Sequence, residues 1–182
     1  MNLTNHFLLA LPTLHQDYFA ATLTYICEHS DDGAMGFVVN RPSDVSVLEL
    51  LNELNLNPKR HWVDHPVIAG GPVSTDRGFM LFAGEDTYDS SLTVTDGVHL
   101  TSALESLRAV ANDEGPERFM IALGYAGWQG GQLESEIARN VWLTVEADPS
   151  VLFDQPFEQR LDAAAGLLGI DLSLVSPEAG HS

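Results

Sequence analysis

The sequence predicts one α/β domain, spanning residues 1–182, with a mixed β-sheet. Short apolar runs that predict buried strands alternate with segments whose apolar residues recur every three or four positions, the spacing of one helix face. The 182 residues suffice for one buried core, whereas two full domains would be small. The chain contains no internal repeat, low-complexity tract or linker. These observations favour a single compact domain.

The first part of the chain predicts a strand, a hairpin and a helix. His6–Leu11 is an apolar strand that ends at Pro12. Leu23–Cys27 and Ala34–Asn40 form the arms of the hairpin, because the turn residues Ser30-Asp31-Asp32-Gly33 lie between them. In the helix that follows, one apolar face is shared by Val47, Leu50, Leu51 and Leu54.

The second part alternates strands and helices. Its predicted strands are Val67–Ala69, Phe79–Phe82, Leu92–Thr95 and Val141–Val145. A helix that bears Leu104, Leu107, Val110 and Ala111 opens at Thr101 or Ser102. Two short helical segments, Pro149–Phe153 and Phe157–Leu168, come last, and the tail from 176 to 182 is expected to fray.

A glycine-rich stretch near the middle of the chain is the most distinctive feature. The apolar run Phe119–Leu123 predicts a strand, and Leu133 and Ile137 lie four apart, as on one face of a helix. The residues between them predict a turn, in which we expect Gly127 or Gly130 to adopt a backbone conformation that is costly for other residues and Trp128 to bury its ring. This turn contains Gly124, Tyr125, Gly127, Trp128, Gly130, Gly131 and Gln132.

The turn lacks the features of a nucleotide site. A phosphate-binding loop needs lysine and a hydroxyl residue after its last glycine, where Gln132 and Leu133 stand, and no glycines have the GxGxxG spacing. Glu134 and Glu136 would also repel a phosphate. Tight packing on the core explains the turn; a ligand or partner site is the functional alternative. The candidate residues are Gly70, Gly71, Gly124, Tyr125, Gly127, Trp128, Gly130, Gly131, Gln132 and Glu134, with Asp76 and Arg77 expected nearby.

The charge and the cysteine content limit the partners and the compartment. Eight Lys and Arg against 26 Asp and Glu give a net charge of −18, so nucleic acids and anionic membranes would be repelled. No apolar run reaches the length of a membrane span, and no basic region precedes the first apolar residues. The single cysteine excludes an internal disulfide framework. We therefore expect a cytoplasmic protein.

Three groups of residues are candidates for chemistry. Cys27 and His29 lie two apart on a predicted strand, so they would share a face as a reactive thiol and its base, although a buried, inert cysteine is the more common case. Glu134 and Glu136 would serve as acid and base, or simply as a solvated helix face. His61 and His65 have helical metal-ligand spacing, but Trp62 replaces the required glutamate and no third ligand is present. No metal or cofactor is predicted.

Several motifs resemble those of the YqgE/AlgH family of bacterial proteins, nearly from end to end. They are Asn5–Ala10, Tyr25–His29, Gly33–Pro42, Gly70–Val73, Gly124–Trp128 and Gly131–Glu136. The resemblance implies an α/β fold with a bifurcated or partly barrel-like sheet flanked by helices. The AlgH name implies a role in regulating alginate synthesis, as a transcriptional regulator would have. The resemblance supplies no catalytic residue.

Two hypotheses of function follow. The first is a non-enzymatic binding or regulatory protein that takes a protein or small-molecule partner at the glycine-rich turn. The alternative is a thiol- or carboxylate-dependent hydrolase that uses Cys27 with His29, or Glu134 with Glu136. We favour the first, because catalysis needs a nucleophile or base with an orienting partner, and the sequence offers only isolated candidates.

Overall fold

A computed structural model of the chain describes residues 1–10, 17–59 and 65–174. The chain divides into two units, the first comprising Met1–Arg41 and Ala126–Ser182 and the second comprising Pro42–Tyr125. The organisation of the chain as one domain stays a prediction. The predicted fraying of the tail from 176 to 182 lies outside the described residues, as does His61.

The described residues form strands and helices that alternate along the chain. The strands are β1 His6–Leu9, β2 Leu23–Ser30, β3 Gly33–Val38, β4 Pro42–Ser46, β5 Pro66–Ala69, β6 Val73–Ala83, β7 Ser91–Thr95, β8 Val98–Thr101, β9 Arg118–Gln129 and β10 Leu143–Glu146. The helices are α1 Val47–Glu53, α2 Leu104–Ala111, α3 Gln132–Ala138, α4 Pro149–Phe153 and α5 Phe157–Leu167, followed by a 3-10 turn at Leu172–Leu174.

The sheet of the first unit is antiparallel, in the order β10, β1, β2, β3 and the last four residues of β9. The predicted hairpin is β2 and β3, joined at Asp31 and Asp32. Gly36 permits the close approach of these strands, since a Cβ there would lie 2.3 Å from the carbonyl oxygen of Tyr25. One apolar cluster of this unit comprises Leu3, Leu8, Ala10, Ile26, Ala34, Ala126, Trp128, Leu133 and Trp142.

In the second unit, the first part of β9 lies between β5, which is parallel to it, and β6, which is antiparallel. The sheet continues from β6 to β8 and β7, and β4 pairs with β5. Helices α1 and α2 contribute Val47, Leu51, Val110 and Ala111 to its apolar core. Parallel and antiparallel pairs therefore coexist, and the predicted α/β class with a mixed sheet is confirmed.

Two strands were not predicted, β4 at Pro42–Ser46 and β8 at Val98–Thr101. Strand β8, Val98–Thr101, forms a hairpin with β7 around a turn at Gly97, whose φ is 83°. The prediction that Thr101 or Ser102 opens the helix is wrong, because α2 begins at Leu104 with Ala103 as its N-cap and Thr101 pairs with Met80 of β6. The hydroxyl of Thr101 instead accepts a hydrogen bond from the backbone N–H of Ala103, just before α2. No helix among the described residues is long and apolar enough to cross a membrane.

Candidate functional site

The glycine-rich stretch is mostly strand. Strand β9 continues to Gln129, so the predicted turn is confined to Gly130 and Gly131, and α3 follows at once. From Ala122 onward, inward and outward residues alternate along β9, and the outward position of Gly127 is exposed. The two glycines within it, Gly124 and Gly127, concealed the strand, because glycine is uncommon in strand interiors.

The glycines of this stretch differ in the reason why a side chain would be costly. Gly124 and Gly131 have φ values of 78° and 80°, whereas Gly127 and Gly130 have no positive φ. Gly130 still requires the absence of a side chain, since a Cβ would lie 2.6 Å from the carbonyl oxygen of Asp31 in the hairpin turn. Gly131 differs, because no atom lies within 4 Å of its hypothetical Cβ. Its φ alone selects glycine there.

A cluster of two tryptophans and a glutamate, Trp128, Trp142 and Glu136, joins β9 to α3 in the first unit. Trp128 and Trp142 are 7% and 3% exposed, and their rings pack edge to face at 6.2 Å. Both indole N–H groups donate to Oε1 of Glu136, over 3.1 and 2.9 Å. Its Oε2 accepts from Nε2 of Gln132 over 3.1 Å. The predicted burial of Trp128 is confirmed, and Glu136 is its hydrogen-bond acceptor.

Glu134 forms a second side-chain pair, with His29 of β2. The Nδ1 atom of His29 accepts a hydrogen bond of 2.9 Å from the backbone N–H of Leu3, so the ring proton resides on Nε2. That nitrogen donates to Oε1 of Glu134. Hydrogen bonds from its own backbone amide and from His29 hold the pKa of the Glu134 carboxyl below its usual value. Both ring nitrogens of His29 are thus engaged.

Cys27 and His29 do not form the hypothesised thiol–imidazole pair. A β-bulge lies between Ile26 and Glu28 in the pairing of β2 with β3, and it interrupts the two-residue alternation on which the shared face depended. Cys27 is buried, with 1% exposure, and burial raises the pKa of its thiol. Since the nitrogens of His29 bond to Leu3 and Glu134, neither is available to deprotonate the thiol.

The remaining candidate residues lie in the second unit. The backbone N–H of Gly70 donates to the carbonyl of Leu123 over 2.9 Å. A Cβ on Gly124 would lie 2.5 Å from the carbonyl oxygen of Gly71 and 3.2 Å from that of Val73. The two glycine motifs of the sequence are therefore in direct contact within this unit, as the density of glycine suggested.

Strand β6 carries a long bulge beside Gly124. Val73 pairs with Tyr125 and Gly78 pairs with Leu123, so four residues of β6 lie opposite one residue of β9. These four residues, Ser74–Arg77, are exposed and are called the β6 bulge below. Ser74 has a φ of 48°, in the left-handed region that non-glycine residues seldom adopt. The sequence placed Asp76 and Arg77 near this site but gave no sign of the bulge.

Aromatic rings support one end of the β6 bulge. The guanidinium of Arg77 lies 5.0 Å from the centre of the Phe79 ring, and Phe79 packs edge to face on Tyr125 at 5.9 Å. Val73, opposite Tyr125, is 38% exposed. Arg77 and Val73 are thus exposed beside an aromatic pair in which Tyr125 is half-buried and Phe79 is buried.

Two other features do not coincide with these residues. An open depression of about 340 Å³ in the second unit is lined by Ala83, Gly84, Asp86, Gly115, Pro116, Glu117 and Arg118. None of the sequence-predicted site residues contributes to it. Within residues 1–10, 17–59 and 65–174, no three His, Cys, Asp or Glu side chains are grouped as metal ligands would be.

The mixed α/β topology and the glycine motifs are shared with a family of bacterial proteins. The chain belongs to the AlgH-like family, whose model matches residues 7–173. A UPF0301 protein of Chromohalobacter salexigens is 52% identical, and one of Nitrosospira multiformis is 48% identical; each match covers all of this chain and 99% or 98% of the relative.

Solved structures agree with this assignment. The solution structure of the AlgH protein from Pseudomonas aeruginosa is 44% identical, with a TM-score of 0.82, over all of this chain and 97% of that protein. A crystal structure of a protein from Corynebacterium diphtheriae has a TM-score of 0.69 over 87% of this chain and 83% of that one. At 22% identity, this second likeness concerns the fold alone.

Proposed function

We propose that the protein is a non-enzymatic binding protein that recognises another protein through the β6 bulge. The observation that carries the proposal is the exposed bulge itself, which holds Ser74 at a φ of 48°. The left-handed conformation costs a non-glycine residue about 1 to 2 kcal/mol. Strain of this kind concentrates at binding and catalytic sites, where the surrounding structure maintains it.

The backbone of the bulge supports the same proposal. Strand β6 pairs with β9 at Val73 and again from Gly78, and with β8 from Met80 to Ala83. Residues Ser74–Arg77 consequently have no register partner in either strand. We propose that this segment pairs with an extended peptide, since β-strand pairing is a common mode of peptide recognition.

The hydrolase alternative finds less support, because its candidate groups are already engaged. Glu136 accepts hydrogen bonds on both carboxylate oxygens, and His29 uses both ring nitrogens. Cys27 is buried, and burial raises its pKa, which disfavours the nucleophilic thiolate. These side chains stabilise the first unit, and the bulge in the second unit serves recognition. We further propose that the protein acts in the cytoplasm and that partner binding has a regulatory outcome.

Site-specific photo-crosslinking tests the proposal. The photoreactive residue benzoylphenylalanine replaces Val73 in one variant and Leu54 in another, and both are irradiated in living cells of the native host. The two positions are matched in exposure, at 38% and 40%, and both lie in the second unit. We expect one discrete protein adduct from position 73, which mass spectrometry identifies and the purified partner reproduces, and none from position 54.

A second variant ties the adduct to the bulge. Gly124→Ala places a Cβ 2.5 Å from the carbonyl oxygen of Gly71 and 3.3 Å from Cα of Thr75, so it displaces the bulge. The adduct at position 73 should disappear in this background while circular dichroism shows a folded chain. Equal adducts from positions 73 and 54, or an adduct that survives Gly124→Ala, would contradict the proposed site.

A further inference from the structure

We infer that the partner presents an acidic side chain to Arg77, next to the apolar surface at position 73. This inference rests on the proposed function and specifies the chemistry of the partner. The β6 bulge ends at Arg77, and its guanidinium lies over the Phe79 ring at 5.0 Å. Contact with an aromatic ring restricts the guanidinium. Its N–H groups point outward in the plane of the guanidinium itself, so they remain free for other acceptors.

The donors of Arg77 are available. Among the residues that the structure describes, Arg77 donates no hydrogen bond and forms no ion pair, and its side chain is exposed. A guanidinium in this state fits a carboxylate, which accepts two parallel N–H bonds from it. Arg41 provides a contrast, because its Nη2 atom donates to the carbonyl of Ala20 over 3.0 Å and its Nη1 atom donates to that of Tyr18. Arg41 thus holds the loop of Tyr18 and Ala20 in place, whereas the Arg77 side chain makes no such hydrogen bond among the described residues.

Apolar surface lies beside the charge. Val73 is opposite Tyr125 in the strand register, and Tyr125 contacts Phe79, on which Arg77 stacks. Cross-strand neighbours of this kind lie about 5 Å apart at Cβ, so the arginine and the valine flank one continuous aromatic pair. A peptide with an acidic residue a few positions from an apolar residue would contact both ends.

The net charge of −18 does not oppose this partner at short range. Charges further apart than about 8 Å are largely screened at physiological ionic strength, whereas a carboxylate in contact with Arg77 is not. The exposed carboxylate closest in the chain is Asp76, within the bulge itself. A cationic partner would instead use Asp76 and be repelled by Arg77. The two residues therefore predict opposite responses to charge changes.

The test measures the yield of the photo-adduct at position 73 in four charge variants. We expect Arg77→Glu to lower the yield at least about tenfold, since charge-assisted hydrogen bonds are the strong ones. Arg77→Lys keeps the charge but loses the bidentate geometry, so it should retain an intermediate yield. Asp76→Asn should raise the yield. Arg108→Glu, an exposed arginine on α2, is the control and should change nothing.

The outcomes separate this inference from the proposed function. An adduct that is unchanged by Arg77→Glu leaves the binding site in place and overturns the acidic partner. A yield that rises with Arg77→Glu and falls with Asp76→Asn identifies a cationic partner and also overturns it. An adduct missing from the parent protein overturns both proposals. Melting curves of each variant confirm that the compared chains are equally folded.

Discussion

The glycine-rich stretch contributes to two regions that differ in how their polar groups are used. In the first unit, Trp128, Trp142 and Glu136 satisfy one another, and His29 pairs with Glu134. In the second unit, Gly124 lies beneath an exposed bulge whose residues lack register partners in β9 and β8. Glycine density alone marks close approach of backbones. Whether a close approach of two backbones serves stability or recognition depends on whether the residues around it are buried and hydrogen-bonded or exposed.

This comparison predicts that changes in the tryptophan–glutamate cluster affect stability, whereas changes at the bulge affect binding. Trp128→Ala should have the largest effect, a loss of about 3 to 5 kcal/mol of unfolding free energy, because a large buried aromatic is removed. Denaturant titration measures it. Val73→Ala is the control, and as an exposed position it should change stability by less than about 0.5 kcal/mol. A Trp128→Ala protein as stable as the parent would make this region a recognition surface.

Glu136→Ala should have the next largest effect. It leaves two buried indole N–H groups without their acceptor, at a cost of about 1 to 3 kcal/mol for each unsatisfied donor. We expect a total loss near 2 to 4 kcal/mol, since local rearrangement or water recovers part of the cost.

Glu136→Gln provides the matched comparison. Its amide oxygen can still accept from both indoles, so most of the stability should remain, although its NH₂ group faces the NH₂ of Gln132. Equal losses in the two variants would show that charge, and not the hydrogen bonds, matters at this position.

Two glycines with nearly equal φ allow the comparison to be sharpened. Gly131→Ala should cost about 1 to 2 kcal/mol, the ordinary penalty for a Cβ in the left-handed conformation. Gly124→Ala has the same penalty and also places its Cβ 2.5 Å from a carbonyl oxygen, so about 2 to 3 kcal/mol is expected. Only Gly124→Ala should abolish the adduct at position 73. Equal losses of stability in Gly124→Ala and Gly131→Ala would show that the bulge moves away from the added Cβ at no cost.

Much of the fold was predictable because periodicity reports burial. The hairpin of β2 and β3 and the helix α1 followed from turn residues and from apolar spacing. Strand β8 was missed, since a turn of only two residues separates it from β7 and its Thr101 also suits a helix start. The prediction ended strand β9 at Leu123, because four glycines lie within the next eight residues and such a density of glycine is typical of turns.

The site was predicted less completely. The contact of Gly71 with Gly124 was anticipated, yet the bulge places four residues of β6 opposite one residue of β9, and no local pattern encodes such a register shift. Likewise, Glu134 and Glu136 read as a solvated pair on a helix. Their partners His29, Trp128 and Trp142 come from other elements, and only the tertiary structure brings them together. Long-range pairing of this kind leaves no signal in a single sequence.

The smallest expected effect concerns the pH dependence of the His29–Glu134 pair. The pKa of Glu134 is lowered in the folded protein, first by its backbone hydrogen bond and then by His29, from an ordinary value of 4.5. A carboxyl with a depressed folded pKa binds protons more weakly when folded, so its contribution to stability is complete above about pH 4.5 and is lost as the pH falls through the folded value. Melting temperatures between pH 6 and pH 3 should therefore decline less steeply in Glu134→Gln than in the parent. Glu28→Gln, a substitution at an exposed position one residue before His29, is the control and should follow the parent curve. Parallel curves for Glu134→Gln and the parent would mean that the carboxylate adds nothing beyond the hydrogen bond that the amide oxygen can also accept.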